Sequence, residues 1–548
     1  MQSSSGVGRG QAAADGGKDS GDAGVSRPGG WRRLASGRLP FLLLAAVGLA
    51  HRLLLFFSWR PDLGALLAQN PDYLTWQFLA VPALRDHLFS SLLYLQQTPP
   101  LPNLLLGLIL KAAPPPYALT YVLLALQTAL SLASALLFFH LLRRQLGRPL
   151  LSFCFALLFL LGPDQLFLEY NSFGQSFYEN LTQLLLLVLV AALGRFLGSP
   201  TIAGCALLGL WAGLLPLTRS TYSYLPFVFS VFLAFAVFRL PSRRRLLAAY
   251  AALAFGLPAL WAVKQLAVYG ELRWATSSWA GANAVQGLVK AGYEEPFRAF
   301  LAASGDRYPA FFLPLIERKG LVDWRWEPRP GDLPEAILER DARLQDRLHG
   351  TNRKENGVAQ ATLFGVYARA WRDFLLARPE IAAAKLYRST KLFFFPIRYH
   401  AAPFLRCDWK IDPAWPPWRI FGMLLRGELP EQAYLTAGTW PDSRPSRYVD
   451  TFTFDRLSIV WQSLLFWSLP FLVTWRLWRI LAGWRRGEPP AAGDWIWLGA
   501  LTLVAYGALL ANLVEFGENQ RFRLALEPLL WLLGLAAAAP RSRRAELT

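Results

Sequence analysis

Little in this chain invites a stapled or metal-built fold. Cysteine occurs three times in 548 residues. Cys154 and Cys205 lie within apolar runs and Cys407 sits in a long loop, so no intramolecular disulfide framework is available there. No Cys/His group has zinc spacing, and no fixed-period repeat points to a solenoid. Charge is sparse as well: 17% of residues are charged against 54% hydrophobic, with a mean hydropathy of +0.28. Such a balance overrides the several soluble domains that the length alone would suggest. Lysine is scarce beside arginine and methionine occurs only twice, a usage typical of GC-rich genomes that points to a bacterial source. The stretch 1–38 holds too few apolar residues to build a core and reads as a disordered cytoplasmic tail.

What is present, from end to end, is a series of leucine-rich runs near the length that crosses a bilayer. The first, Leu39–Trp59, is too long for a signal-peptide core, and no A-x-A cleavage site follows it. Further runs fall at 116–142, 149–168, 178–198, 201–218, 221–240, 246–267, 457–480, 494–514 and 522–539, about ten spans in all. The stretch 99–113 is too short to cross comfortably and reads as interfacial or re-entrant. The expected fold class is therefore an all-α polytopic membrane protein with juxtamembrane helices. Its expected organisation is the tail 1–38, an N-terminal transmembrane region 39–267 with a first external loop 60–115, a large loop 268–456, and a C-terminal transmembrane region 457–548. A loop of roughly 185 residues is far above the usual length, which marks it as functional. Within it, Leu333–His349 is a polar helix pattern and Asn356–Leu376 an amphipathic one. Glu380–Phe395 sets Lys385, Arg388 and Lys391 beside apolar residues, like a helix lying on lipid.

Arginine placement orients these spans. A net charge of +19 would fit a nucleic-acid partner, but the basic residues flank apolar runs rather than a soluble surface, so no nucleic acid is expected. With both termini cytoplasmic, the clusters at Arg143/Arg144/Arg148, Arg195, Arg243/Arg244/Arg245, Arg479/Arg485/Arg486 and Arg541/Arg543/Arg544 all fall inside. Asp62, Asp72, Asp86, Asp164, Glu169, Glu179, Glu515 and Glu518 fall on the opposite side. Counting 99–113 as a full span would invert every later loop.

Acids in the loop after a first helix do nothing for insertion, and here they are followed by Thr98-Pro99-Pro100-Leu101. An acid-bearing first external loop closed by x-P-P-L resembles the GT-C class of polyprenyl-phosphate-sugar-dependent glycosyltransferases, nearest to the protein O-mannosyltransferase and lipid A aminoarabinose transferase group. Phe177-Tyr178-Glu179-Asn180-Leu181, Leu215-Pro216-Leu217-Thr218-Arg219, Val263-Lys264-Gln265 through Tyr269-Gly270, Arg378-Pro379 with Lys385 and Lys391-Leu392-Phe393-Phe394, and Glu518-Asn519-Gln520-Arg521-Phe522-Arg523 before Glu527-Pro528 look like that group's later elements, in order. Two departures stand out: Thr98 occupies a position where the group often has His or Lys, and Asp72 is followed by Tyr73 rather than a second acid.

The resemblance implies a GT-C-like fold and a transfer of a hexosyl or pentosyl group from a polyprenyl-phosphate donor. The acceptor would be a protein, lipid or glycan on the non-cytoplasmic face of the inner membrane, and the reaction one inverting displacement. A hydroxyl acceptor needs a carboxylate to take its proton: Asp72 is the expected base, with Asp62 second and Asp86 third. The leaving phosphate needs cations, and Arg219, Lys264, Arg521 and Arg523 all stand at outer span ends. Glu179 and Glu518 are expected on the acceptor or metal side, where a divalent ion (Mg or Mn) is left open. Each residue also has a plainer explanation: a helix cap for Asp72, snorkelling for the basic residues, the helix dipole for Glu179. A transporter or flippase of lipid-linked saccharides, or a lipid-linked oligosaccharide ligase, is the alternative activity.

Overall fold

Proline and the length of each apolar run decide where the helices begin and end. The computed structural model describes residues 37–59, 78–112, 116–170, 173–321, 330–347, 357–394, 419, 422, 455–516 and 519–539. In chain order the helices are α1 (Leu39–Trp59), α2 (Val81–Asp86), α3 (Leu88–Leu93), α4 (Pro100–Ala112), α5 (Pro116–Leu146), α6 (Pro149–Leu161), α7 (Pro163–Tyr170), α8 (Phe173–Gly198), α9 (Ile202–Thr218), α10 (Leu225–Ala236) and α11 (Arg243–Tyr269). After them come α12 (Ala280–Lys290), α13 (Glu294–Ala303), α14 (Phe312–Lys319), α15 (Glu335–Arg347), α16 (Val358–Ala377), α17 (Pro379–Phe393), α18 (Asp455–Arg485), α19 (Ala492–Val514), α20 (Asn519–Leu524) and α21 (Glu527–Ala538). No strand occurs among the described residues. A proline in the first turn starts α2, α6, α10, α17 and α21, where its missing N–H costs nothing.

Six helices are long and apolar enough to cross a membrane: α1, α5, α8, α11, α18 and α19, with α4, α6, α9, α10 and α21 shorter but equally apolar. Leu42, Phe57, Val231, Phe235, Leu260, Phe471 and Trp478 lie exposed on them. So much apolar surface belongs against lipid, and the chain is an integral membrane protein. The stretch expected to lie short of a crossing is a 13-residue helix, α4. The run expected at 149–168 is instead broken into α6 and α7 at Gly162, which is extended (φ −64°, ψ 151°). Pro163 follows it, and a residue before proline is pushed out of the helical region.

One apolar core runs through the bundle, with Phe138, Phe159, Phe229, Trp497 and Trp531 at its centre. A second, smaller core gathers α12, α13, α14 and α16 in the large loop, pinned by edge-to-face rings such as Phe297–Phe374 and Phe312–Tyr367, 5.3 and 5.0 Å apart. The closest helix contact in the bundle is between α9 and α11. A Cβ on Gly209 would meet Tyr250 O at 2.3 Å, and one on Gly213 would meet Leu253 O at 2.6 Å. Glycines four apart let two backbones touch in this way. Gly209→Ala should therefore destabilise the protein by about 1–3 kcal/mol in mixed-micelle unfolding. Gly256→Ala on α11, where a Cβ meets nothing within 4 Å, should lose nothing.

Candidate functional site

The polar residues of the bundle collect where α8 begins and α9 stops. Glu179 is the seventh residue of α8 and is buried, too deep in the helix for the dipole of the first turn to account for it. Its carboxylate is ion-paired with the Arg219 guanidinium just past the end of α9, and with Arg521 Nε on α20 at 3.2 Å. Both guanidinium groups sit over the Phe522 ring, 4.4 and 5.2 Å from its centroid. Burial, reinforced by the Arg521 charge, pulls Arg219 down to about 9, so it stays charged at neutral pH. Burial holds the adjacent Tyr222 phenol above its ordinary value. Within this group two guanidinium groups converge on one carboxylate in a nearly dry setting, with the Glu515 carboxylate near enough to act on Arg219. Arginine forks in such a place are suited to a phosphate.

Arg523, two residues along α20, joins a different group. It is fully buried with Asp164 on α7 and Glu527 at the start of α21. It also donates to Phe393 O at 3.4 Å and lies over the Phe466 ring. Lys264 is elsewhere again: its ammonium donates to Leu95 O and sits 3.8 Å from the Trp261 ring centroid. The four basic residues expected around one phosphate thus divide into Arg219 with Arg521, Arg523 apart with two acids, and Lys264 on α11 against Leu95. Asp62, Asp72 and Glu518 lie outside the described residues. Asp86, the third acid, ends α2 on the surface.

The end of the acid-bearing stretch comes back to Glu179's neighbour. The Phe78 ring packs on Tyr178, 5.0 Å between centroids. Asn103 on α4 accepts from Leu79 N at 2.9 Å and donates to Tyr178 Oη at 3.3 Å, Thr98 Oγ1 at 3.2 Å and Pro99 O at 3.0 Å. The residues before the double proline are gripped in turn. Tyr269 donates to Tyr94 O, and Gln265 donates to Leu95 O at 3.2 Å. Gln96 reaches Gly357 O at 2.5 Å, while Gln97 donates to Gln360 Oε1 at 2.7 Å and accepts from Trp279 Nε1 at 2.8 Å.

Three further placements bear on the sequence reading. Lys385, expected on a lipid-facing surface, is buried and donates to Leu513 O and Glu515 O at 2.7 and 3.1 Å, capping the C-terminus of α19. Its burial outweighs the nearby Glu515 carboxylate and brings it down to about 8. Asn180, next to Glu179, is buried and bonded to Gln127 and Ser131. A divalent ion finds no group of three Asp, Glu, His or Cys among the described residues, and Glu179, where one was left open, is occupied by two guanidinium groups.

Sequence reasoning missed a second buried pair. Arg52 on α1 and Glu169 on α7 meet side-on, with Nη2–Oε1 at 2.6 Å and Nε 3.1 Å from each carboxylate oxygen. The signal was available: an arginine inside an apolar run demands a partner or a task. Comparison with protein-family models, curated proteins and solved structures finds no match for the chain.

Proposed function

We propose that the chain is a membrane glycosyltransferase that moves a sugar from a polyprenyl-phosphate donor to an acceptor hydroxyl on the non-cytoplasmic face. The observation that carries this reading is the convergence of two buried guanidinium groups, Arg219 and Arg521, at Glu179, next to the point where the acid-bearing stretch ends at Phe78. Six residues separate Asp72 from Phe78, a tether of about 20 Å at full extension. The bond from the anomeric carbon to the phosphate oxygen breaks as the acceptor oxygen attacks. Asp72 takes the acceptor proton, and Arg219 and Arg521 receive the charge that grows on the phosphate. Glu179 keeps the two guanidinium groups in place until the phosphate shares them.

The test is turnover and binding of polyprenyl-phosphate hexoses and pentoses by the purified protein in nanodiscs. Arg521→Gln should weaken binding of polyprenyl phosphate by about 10- to 100-fold, the worth of a hydrogen bond to a charged group. Donors that are neither bound nor cleaved would overturn the reading. The Arg52–Glu169 pair, a charge pair buried among the apolar helices, favours a second one: a carrier of lipid-linked saccharides. Translocation across vesicles without cleavage would support it.

A further inference from the structure

Behind the Arg219–Arg521 group, three charges meet without balancing. Asp164 and Glu527 share one arginine: Arg523 Nη2 lies 3.9 Å from Asp164 Oδ2 and 3.9 Å from Glu527 Oε2. They also share one amide. Gln462 Nε2 on α18 donates to Asp164 Oδ2 and, at 3.1 Å, to Glu527 Oε1, which accepts from Trp531 Nε1 at 3.3 Å as well. Gln462 Nε2 and Arg523 Nη2 thus each reach both carboxyl groups, which draws the two close together. Yet Asp164 Oδ1 and Glu527 Oε2, both buried, accept no hydrogen bond. Asp164 and Glu527 are 3% and 1% exposed, so neither oxygen is open to bulk solvent.

Among the described residues, the neighbouring elements offer the pair no second salt bridge. Glu169 on α7 is taken by Arg52, Glu179 on α8 by Arg219 and Arg521, and Asp494 on α19 by Arg476. On α5, Arg144 is bonded to Gly194 O and Arg143 lies over Phe41. Two carboxylates held by the same amide and the same guanidinium repel, and a buried surplus charge is costly. One hydrogen between the two groups removes the repulsion, neutralises the surplus and gives the orphaned oxygens a partner.

We propose that Asp164 and Glu527 bind a single proton between them at neutral pH, forming a buried acid–carboxylate pair on the far side of α20 from the anion site. A metal ion in its place would need more oxygen ligands than two carboxyl groups supply. The pair joins α7, α18, α20 and α21 through one hydrogen. It lets Arg523 remain a single-charge partner while Arg521, on the same six-residue helix, faces the anion. The inference does not rest on the glycosyltransferase reading and can stand if that fails.

Infrared spectroscopy of the full chain in nanodiscs tests it. The wild type should show a protonated-carboxyl band at neutral pH that shifts in D2O and on carboxyl-13C labelling of Asp and Glu. Asp164→Asn and Glu527→Gln should each remove one protonated carboxyl and leave the number of ionised carboxylates unchanged. Loss of an ionised carboxylate with the protonated band intact would overturn the proposal. So would a wild-type spectrum with no protonated-carboxyl band, which needs no variant to fold. A second readout follows from linkage. The folded protein holds one proton more than the unfolded chain above the ordinary carboxylate range, so wild-type stability should fall as pH rises there. Glu527→Gln should remove that slope. An identical slope in both proteins would count against the pair.

Discussion

Asparagine at position 72 should lower turnover of the lipid-linked donor by about 10²- to 10⁴-fold, the usual contribution of a positioned general base. Donor affinity should be unchanged, because the proposed site assigns the phosphate to Arg219 and Arg521 and not to the base. A neutral acceptor hydroxyl cannot attack at a useful rate until its proton has somewhere to go, and an amide cannot take it. The measurement is steady-state release of polyprenyl phosphate beside equilibrium binding of the same lipid. Full turnover in Asp72→Asn would reject this base. Weakened binding with unchanged turnover of bound donor would move Asp72 into the phosphate site instead.

The second large effect is on stability. Arg52→Met should cost about 3–5 kcal/mol, because it strands Glu169 in a dry setting with a charge and no counterion. Among the described residues, one neutral hydrogen bond would be left to that carboxylate, donated by Thr128 Oγ1 to Glu169 Oε2 at 3.2 Å. Arg52→Met with Glu169→Leu should recover most of the loss, since a matched apolar pair owes no desolvation. Reversible unfolding in mixed micelles gives both numbers. A double variant as unstable as the sum of its singles would mean that the pair is not coupled. A fully stable double variant that no longer transports or transfers would give the pair a functional duty.

Much of the fold was legible because bilayer-length apolar runs admit one reading. The runs at 39–59, 178–198 and 494–514 became α1, α8 and α19 within a few residues, and the amphipathic patterns in the large loop became α15 and α16. Gly162-Pro163 escaped notice because a hydropathy window averages across a two-residue break. The contact of α9 with α11 was written in Gly209 and Gly213, and pattern reading for length alone passes over glycine.

The site was legible by residue type and not by grouping. Glu179, Arg219 and Arg521 were all singled out, but the ion pair between Glu179 and Arg521 spans more than 300 residues of chain, and no local rule foretells such a meeting. Arg521 and Arg523 look equivalent in sequence, yet two steps along a helix is more than half a turn. One therefore meets Glu179 and the other meets Asp164 and Glu527. Lys385 followed its amphipathic pattern into the interior rather than onto lipid because the carbonyls ending α19 needed a donor.

The grip on residues 94–98 sets a clock on biogenesis. Gln97 finds its partner Gln360 across 263 positions of chain, and at about 5–20 residues per second that partner emerges some 13–50 s later. Until then the side-chain amides of Gln96 and Gln97 lack these acceptors, while Tyr269, Gln265 and Trp279 reach the same stretch earlier. Assembly of this face must therefore run backwards in time, the earliest-made segment being the last to settle.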